Sequence, residues 1–161
     1  MASTYTPIAT TTLGSNQSSI TFSSISSTYT DLILIVSANS SSAGAAITLQ
    51  FNSDTGSNYS QTYLYGSGSA ASSGRGSNGT EMNIGNTDQT NNQSTIINIQ
   101  NYSNATTYKT ALSKGGGATI GAIAYVGLWR STAAINAVRV GVNTGTLNTG
   151  STFTLYGVKS A

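Results

Sequence analysis

Four acids (Asp31, Asp54, Glu81, Asp88) and six bases (Arg75, Lys109, Lys114, Arg130, Arg139, Lys159) are the whole charged inventory of these 161 residues. His and Cys are absent. Zinc, haem, iron–sulfur and blue-copper sites need imidazole or thiolate, so none can be assembled within the chain. A Ser nucleophile with a His base and a Cys nucleophile fall for the same reason, and Ser15 and Ser131 have no base to activate them. Asn52-x-Asp54-x-Gly56 has half the spacing of a calcium loop but lacks the further carboxylates and the closing Glu. It reads as an Asx turn between two strands. Asp54 and Glu81 have the residue types of a glycosidase pair, yet so small a stock of acids fits structural placement better. Lys114-Gly115-Gly116-Gly117 lacks the Gly-Lys-Ser/Thr ending of a phosphate loop and reads as a hairpin turn. The expectation is a protein that is not an enzyme and needs no metal and no cofactor.

Contact chemistry is better represented. Nine Tyr and one Trp stand among Ser, Asn and Gly, a combination that makes adaptable binding surfaces. Tyr63, Tyr65, Tyr102 and Tyr108 are candidate assembly contacts, with Trp129 and Arg130 as an anchor pair. The same rings would equally fill a β core and its rims. The six bases are scattered singly, which is not a phosphate-binding pattern, so no nucleic-acid partner is expected. No segment reaches the ~18 apolar residues of a membrane span, and Met1 to Leu13 has no secretory signal character. No membrane partner is expected.

The elements that must position these residues are strands. Ser, Thr, Asn and Gly make up 84 of 161 residues, with 6% charged and 37% hydrophobic. A single Pro and nine Tyr argue against disorder, which favours Pro, Glu and Lys. Leu32 to Val36 is a β-branched-rich apolar run, expected as a strand buried on both faces or at a tight subunit contact. Ile47/Leu49/Phe51, Val138/Val140/Val142 and Phe153/Leu155 alternate with polar or small residues, giving one apolar face each. Tyr63 and Tyr65 share a face around Leu64, and strand character also marks Ile96–Tyr102, Thr106–Leu112 and Ala118–Trp129. Turn clusters such as Ser53–Gly56 and Asn143–Gly145 separate the runs. Such spacing predicts an all-β, antiparallel β-sandwich of about eight to ten strands, jelly-roll-like, formed as one domain over residues 1–161. Residues 67–92 read as a long loop or a strand–loop–strand excursion.

Phe51–Arg75 (FNSDTGSNYSQTYLYGSGSAASSGR), Gly127–Val140 (GLWRSTAAINAVRV), Gly150–Lys159 (GSTFTLYGVK) and Tyr5–Ser15 (YTPIATTTLGS) resemble small tailed-phage virion proteins of the cyanophage type. The resemblance spans nearly the full length and is weakest around Gly79–Asn92. It implies a jelly-roll-like virion sandwich shared by capsid cement or decoration proteins and by fibre or tail tips. Scarce charge suits a subunit that buries its surface against neighbours. No coiled-coil shaft precedes the first strand, which favours decoration over a fibre tip. The expectation is thus a capsid cement or decoration protein on the outer capsid surface of a virion. Its partners would be the major capsid protein and copies of itself, a homotrimer first. The alternative is a receptor-binding or tail-fibre component.

Overall fold

The computed structural model describes residues 4–159. Residues 1–3 and 160–161 of the expected domain lie outside the described residues. Twelve strands form, more than the eight to ten expected. In chain order they are β1 (Tyr5–Thr12), β2 (Ser19–Phe22), β3 (Asp31–Ala38), β4 (Ala46–Phe51), β5 (Tyr59–Gly66) and β6 (Ala71–Gly79). Then follow β7 (Met82–Asn86), β8 (Gln93–Gln100), β9 (Lys109–Gly117), β10 (Gly121–Trp129), β11 (Val138–Val142) and β12 (Thr152–Val158). They make two antiparallel sheets, an eight-stranded one ordered β1-β12-β3-β8-β9-β10-β5-β6 and a four-stranded one ordered β2-β11-β4-β7. The expected β-sandwich is observed.

The pairing is nested. β1 pairs with β12 and β3 with β8 in the large sheet, while β2 pairs with β11 and β4 with β7 in the small one. The hairpins β5–β6 and β9–β10 are laid on the far side of β8, widening the large sheet by four strands. Residues 67–92, expected as a loop or an excursion, contribute β6 to one sheet and β7 to the other. The three glycines after Lys114 are the last residues of β9, and the hairpin turn falls just beyond them, with Ile120 N–H donating to Gly117 C=O at 3.2 Å.

Period-two alternation decides which side chains enter the core. Leu32, Leu34 and Val36 of β3, Ile97 and Ile99 of β8, and Phe153 and Leu155 of β12 are buried. They meet Ile47, Leu49 and Phe51 of β4, Val138 and Val140 of β11, and Met82 and Ile84 of β7. β3 is therefore not buried on both faces within this chain, because Ile33 is only half-buried and Ile35 is exposed. A Cβ on Gly127 of β10 would stand 2.3 Å from the Met82 sulfur, so the missing side chain is what admits β7 against β10.

Two buried phenols give the fold an alkaline limit. Burial pushes Tyr59 up to about 12, against the help of its bond with the Phe51 backbone, and Asp54 and Glu81 add smaller repulsive contributions. Tyr125 also reaches about 12, through burial and then the nearby Tyr63. Both hold their protons more tightly folded than unfolded, where the value is 10.0. The stability they contribute is whole below pH 10 and lost as pH rises toward 12. We expect the urea midpoint to fall across that window and Tyr125→Phe to flatten the fall. Lys109, which burial shifts downward, is common to both proteins and drops out of the comparison. A wild-type curve level through pH 12 would refute the assignment.

Candidate functional site

In the large sheet the residues between the inward-pointing ones form a broad outer face. Cross-strand register sets Ile33 beside Tyr156, Ile35 beside Ile96, Leu112 beside Val126, and Ala124 beside Leu64. Among the described residues, seven large hydrophobics are exposed, and six of them (Tyr5, Ile35, Leu64, Ile96, Leu112, Val126) stand on this face. Leu64 is 66% exposed and Val126 50%, so these are open positions and not rims of the core. Isolated exposed apolar residues are ordinary, but a contiguous stripe marks a contact surface.

Charge is sparse and one-sided here. Lys114 lies opposite Ile96 and Ala124, and Arg75 lies opposite Thr62. Arg130, at the end of β10, is held by Ser60 Oγ at 2.5 Å, Ser57 C=O at 2.6 Å and Asn78 Oδ1 at 2.9 Å. Asp31 is the one acid at the rim, and it accepts the Asn101 backbone N–H at 2.6 Å. Glu81 is paired with Arg139 of the small sheet at 3.2 Å, and Asp88 accepts the Thr119 hydroxyl at 2.7 Å in the loops. Seven inter-strand gaps at ~4.8 Å and eight-residue strands at ~3.3 Å per residue give this face roughly 34 by 26 Å. That matches the ~800 Å² per partner of a standard protein interface.

The six expected contact residues divide. Tyr102 and Trp129 are buried within the chain and serve the core, which corrects their reading as contact residues. The Tyr102 hydroxyl donates to the Ser26 carbonyl. Trp129 stacks on Tyr59 with ring centroids 6.3 Å apart and leans on Phe51 at 5.5 Å. Tyr108 is exposed just before β9, Arg130 borders the outer face, and Tyr63 and Tyr65 point to the opposite side of the sheet, only half-buried. Ile35 belongs to the Leu32–Val36 run for which a subunit contact was one of the two expectations, while Ile96, Leu112, Val126 and Leu64 were not expected as contact residues. Their signal was present: β3 and β8 carry apolar residues at both parities, which a one-sided sheet does not need.

The Asn52–Gly56 segment is the Asx turn anticipated. Asp54 Oδ1 accepts Gly56 N–H at 2.8 Å, and Oδ2 accepts Asn58 Nδ2 at 2.9 Å and Trp129 Nε1 at 2.7 Å. Asn52 is spent in the same way, donating to Ala134 C=O at 2.8 Å and accepting the N–H groups of Asn136 and Ala137. Asp54 and Glu81 thus serve different partners. No protein-family model, curated protein or solved structure matches the chain significantly, so function is read from the surface itself.

The Trp129 bond, then Asn58 and Gly56, hold Asp54 below the ordinary 3.8 despite a small desolvation cost. Asp54→Ala strands the indole N–H of a ring that is 2% exposed. We expect a loss of about 1–3 kcal/mol, read by urea unfolding with the emission of the single Trp as reporter. The contribution is present above pH 3.8 and fades as pH falls through the lowered folded value. The two proteins should therefore converge in acid, and equal stability at pH 7 would contradict the role given to Asp54.

Proposed function

We propose that the chain is a tailed-phage virion structural protein, a capsid cement or decoration subunit that docks through the outer face of its large sheet. The single observation that carries this reading is the face itself, a stripe from Tyr5 to Leu64 with Lys114 set within it and Arg75 and Arg130 at its border. The core of a protein interface is depleted in charge and rich in apolar contact, and this stripe sets one charge, Lys114, among its apolar residues. Every strand beneath it is fixed by backbone pairing to a neighbour, so docking orders little that was mobile, which keeps the entropic cost of association low.

Charge selects the partner. Two copies meeting on this face would bring Lys114, Arg75 and Arg130 toward their counterparts, and like charges across an interface are costly. A surface that carries carboxylates around an apolar centre is complementary. The reading assigns that surface to the assembled major capsid protein. The nested order β1-β12-β3-β8 over β2-β11-β4-β7 has the strand pairing of a jelly roll, which supports the architecture implied by the resemblance. The homotrimer at threefold positions of the outer capsid surface is the assembly proposed with it, with self-contacts lying outside the docking face. The mechanism is mass action: a subunit that binds only the assembled shell lowers the free energy of that shell against its dissociated parts.

Virions stripped of this protein should release their genome at a lower temperature than intact ones, and re-added wild-type protein should restore the difference. Lys114→Glu with Val126→Ser should keep the wild-type melting temperature, since exposed substitutions shift stability by about 0.5 kcal/mol or less, and yet fail to rebind. Rebinding by that variant at wild-type strength, or unchanged heat release after stripping, would remove the cement reading. A copy number of only a few per particle would transfer the protein to the tail.

A further inference from the structure

The large sheet is wider than the small one, and its hairpin β5–β6 overhangs the edge strand β7. Between them lies a cleft of about 260 Å³, close to the ~300 Å³ lower end of ordinary ligand sites. Tyr63, Tyr65 and Ser72 come to it from the hairpin, Tyr125 from β10, and Asn83 and Asn86 from β7. We propose that this cleft binds a neutral saccharide.

The cleft is shaped by an absence in β6. A Cβ built on Gly74 would stand 2.6 Å from the Tyr63 hydroxyl, and one on Gly76 would stand 2.5 Å from Gln61 Nε2. The β5 side chains therefore lie down on the bare β6 backbone, and the end of the Tyr63 ring occupies the space a β6 side chain would take. Tyr63 and Tyr125, ring centroids 5.4 Å apart and tilted at 45°, both line the cleft.

The polar groups select the ligand class. Tyr65 is tied down by donating to Ile120 C=O at 2.5 Å. The Tyr125 hydroxyl donates to Asn86 Oδ1 at 3.3 Å, which leaves Asn86 Nδ2 as a donor toward a ligand. The Tyr63 hydroxyl and the Asn83 amide have no hydrogen-bond partner among the described residues, so donors and acceptors of both kinds are offered in a small space. None of the lining residues is charged. A charged ligand would lose its hydration with no opposite charge to replace it. A purely apolar ligand would strand the amides. A sugar has hydroxyls that both donate and accept, and a C–H face that lies on an aromatic ring, so it satisfies both halves of the cleft.

The cleft opens on the side of the large sheet opposite the docking face. A subunit seated by that face would turn the cleft away from the shell, and this orientation alone rests on the docking proposal. The binding itself belongs to the isolated protein.

The test is saturation-transfer NMR on the full chain with cellotriose, maltotriose and chitotriose, three neutral oligosaccharides of different linkage. At least one should bind saturably in the millimolar range or tighter. Gly74→Ala, which keeps every ligand-contacting group but displaces Tyr63, should weaken binding about tenfold, and Asn83→Ala by a similar factor. Tyr63→Phe, which keeps the ring, should weaken it less than Gly74→Ala does. Circular dichroism melts would confirm that the variants fold. Lys114→Glu should leave sugar binding intact, and Gly74→Ala should leave particle binding intact, so the two proposals fail separately. Absence of binding by all three probes, or affinity unmoved by Gly74→Ala and Asn83→Ala together, overturns the proposal.

Discussion

An eight-stranded sheet faced by a four-stranded one has more inner surface than its partner can cover. The rings of β5 and β10 close that difference. Tyr59 and Trp129 are fully buried, and Trp129 joins the Phe51 ring of the small sheet to the hairpin strands. Aromatic side chains bury more area per residue than aliphatic ones, so a few of them can replace an absent layer. Farther out, at Tyr63 and Tyr65, the filling is incomplete and the rings are only half-buried. The same mismatch in width thus produces a closed core at one end of β5 and an open cleft at the other. It also produces the broad outer face, since a surface of this breadth exists only because β9, β10, β5 and β6 continue the sheet beyond β8.

Scarcity of charge runs through the whole design. Each described acid is engaged with a donor in its own chain: Asp31 with Asn101, Asp54 with Trp129, Glu81 with Arg139, Asp88 with Thr119. Even the buried cation, Lys109, is met by the carbonyls of Thr107 and Thr132 at 2.7 and 3.2 Å, with no carboxylate among its bonds. Arg75 and Lys114, by contrast, are exposed on the outer face. The outer face of the large sheet is therefore sparsely and positively charged, and the cleft on its other side is lined by no charged residue.

The strands with apolar alternation were legible from sequence: β3, β8, β10 and β12 bury every second residue, β4 and β11 bury their alternating apolar residues and some of the residues between, and the all-β sandwich follows from them. β6 was not legible. Ala71–Gly79 reads ASSGRGSNG, with no apolar face, and it is a strand only because β5 offers it a backbone ladder. β2 is short, and only Ile20 and Phe22 announce it. The Asx turn at Asp54 was readable because its signal is local. The burial of Tyr102, in the turn after β8, and of Trp129, at the end of β10, was not, since a ring in or beside a strand gives the same signal whether it faces a core or a partner. The outer face was half-legible: the Leu32–Val36 run showed two apolar sides, but only the sheet order could say that its second side continues across five more strands.

The nested pairing has a consequence in time. β1 and β12 are hydrogen-bonded neighbours at opposite ends of the described chain, and Lys159 N–H donates to Thr4 C=O at 3.1 Å. Closing that ladder requires loops that span nearly the whole polypeptide, and contacts so distant in sequence slow folding toward milliseconds to seconds. The hairpins β5–β6 and β9–β10 are local and can form first, offering Thr/Ser-rich edges while the outer pairs are still apart. During synthesis the sheet cannot finish until the final strand has left the ribosome. A chain with few charges to keep it soluble is most exposed to mispairing in that interval, and the Gly/Ser composition of β6 is a defence, because a strand without apolar side chains is a poor template for aggregation.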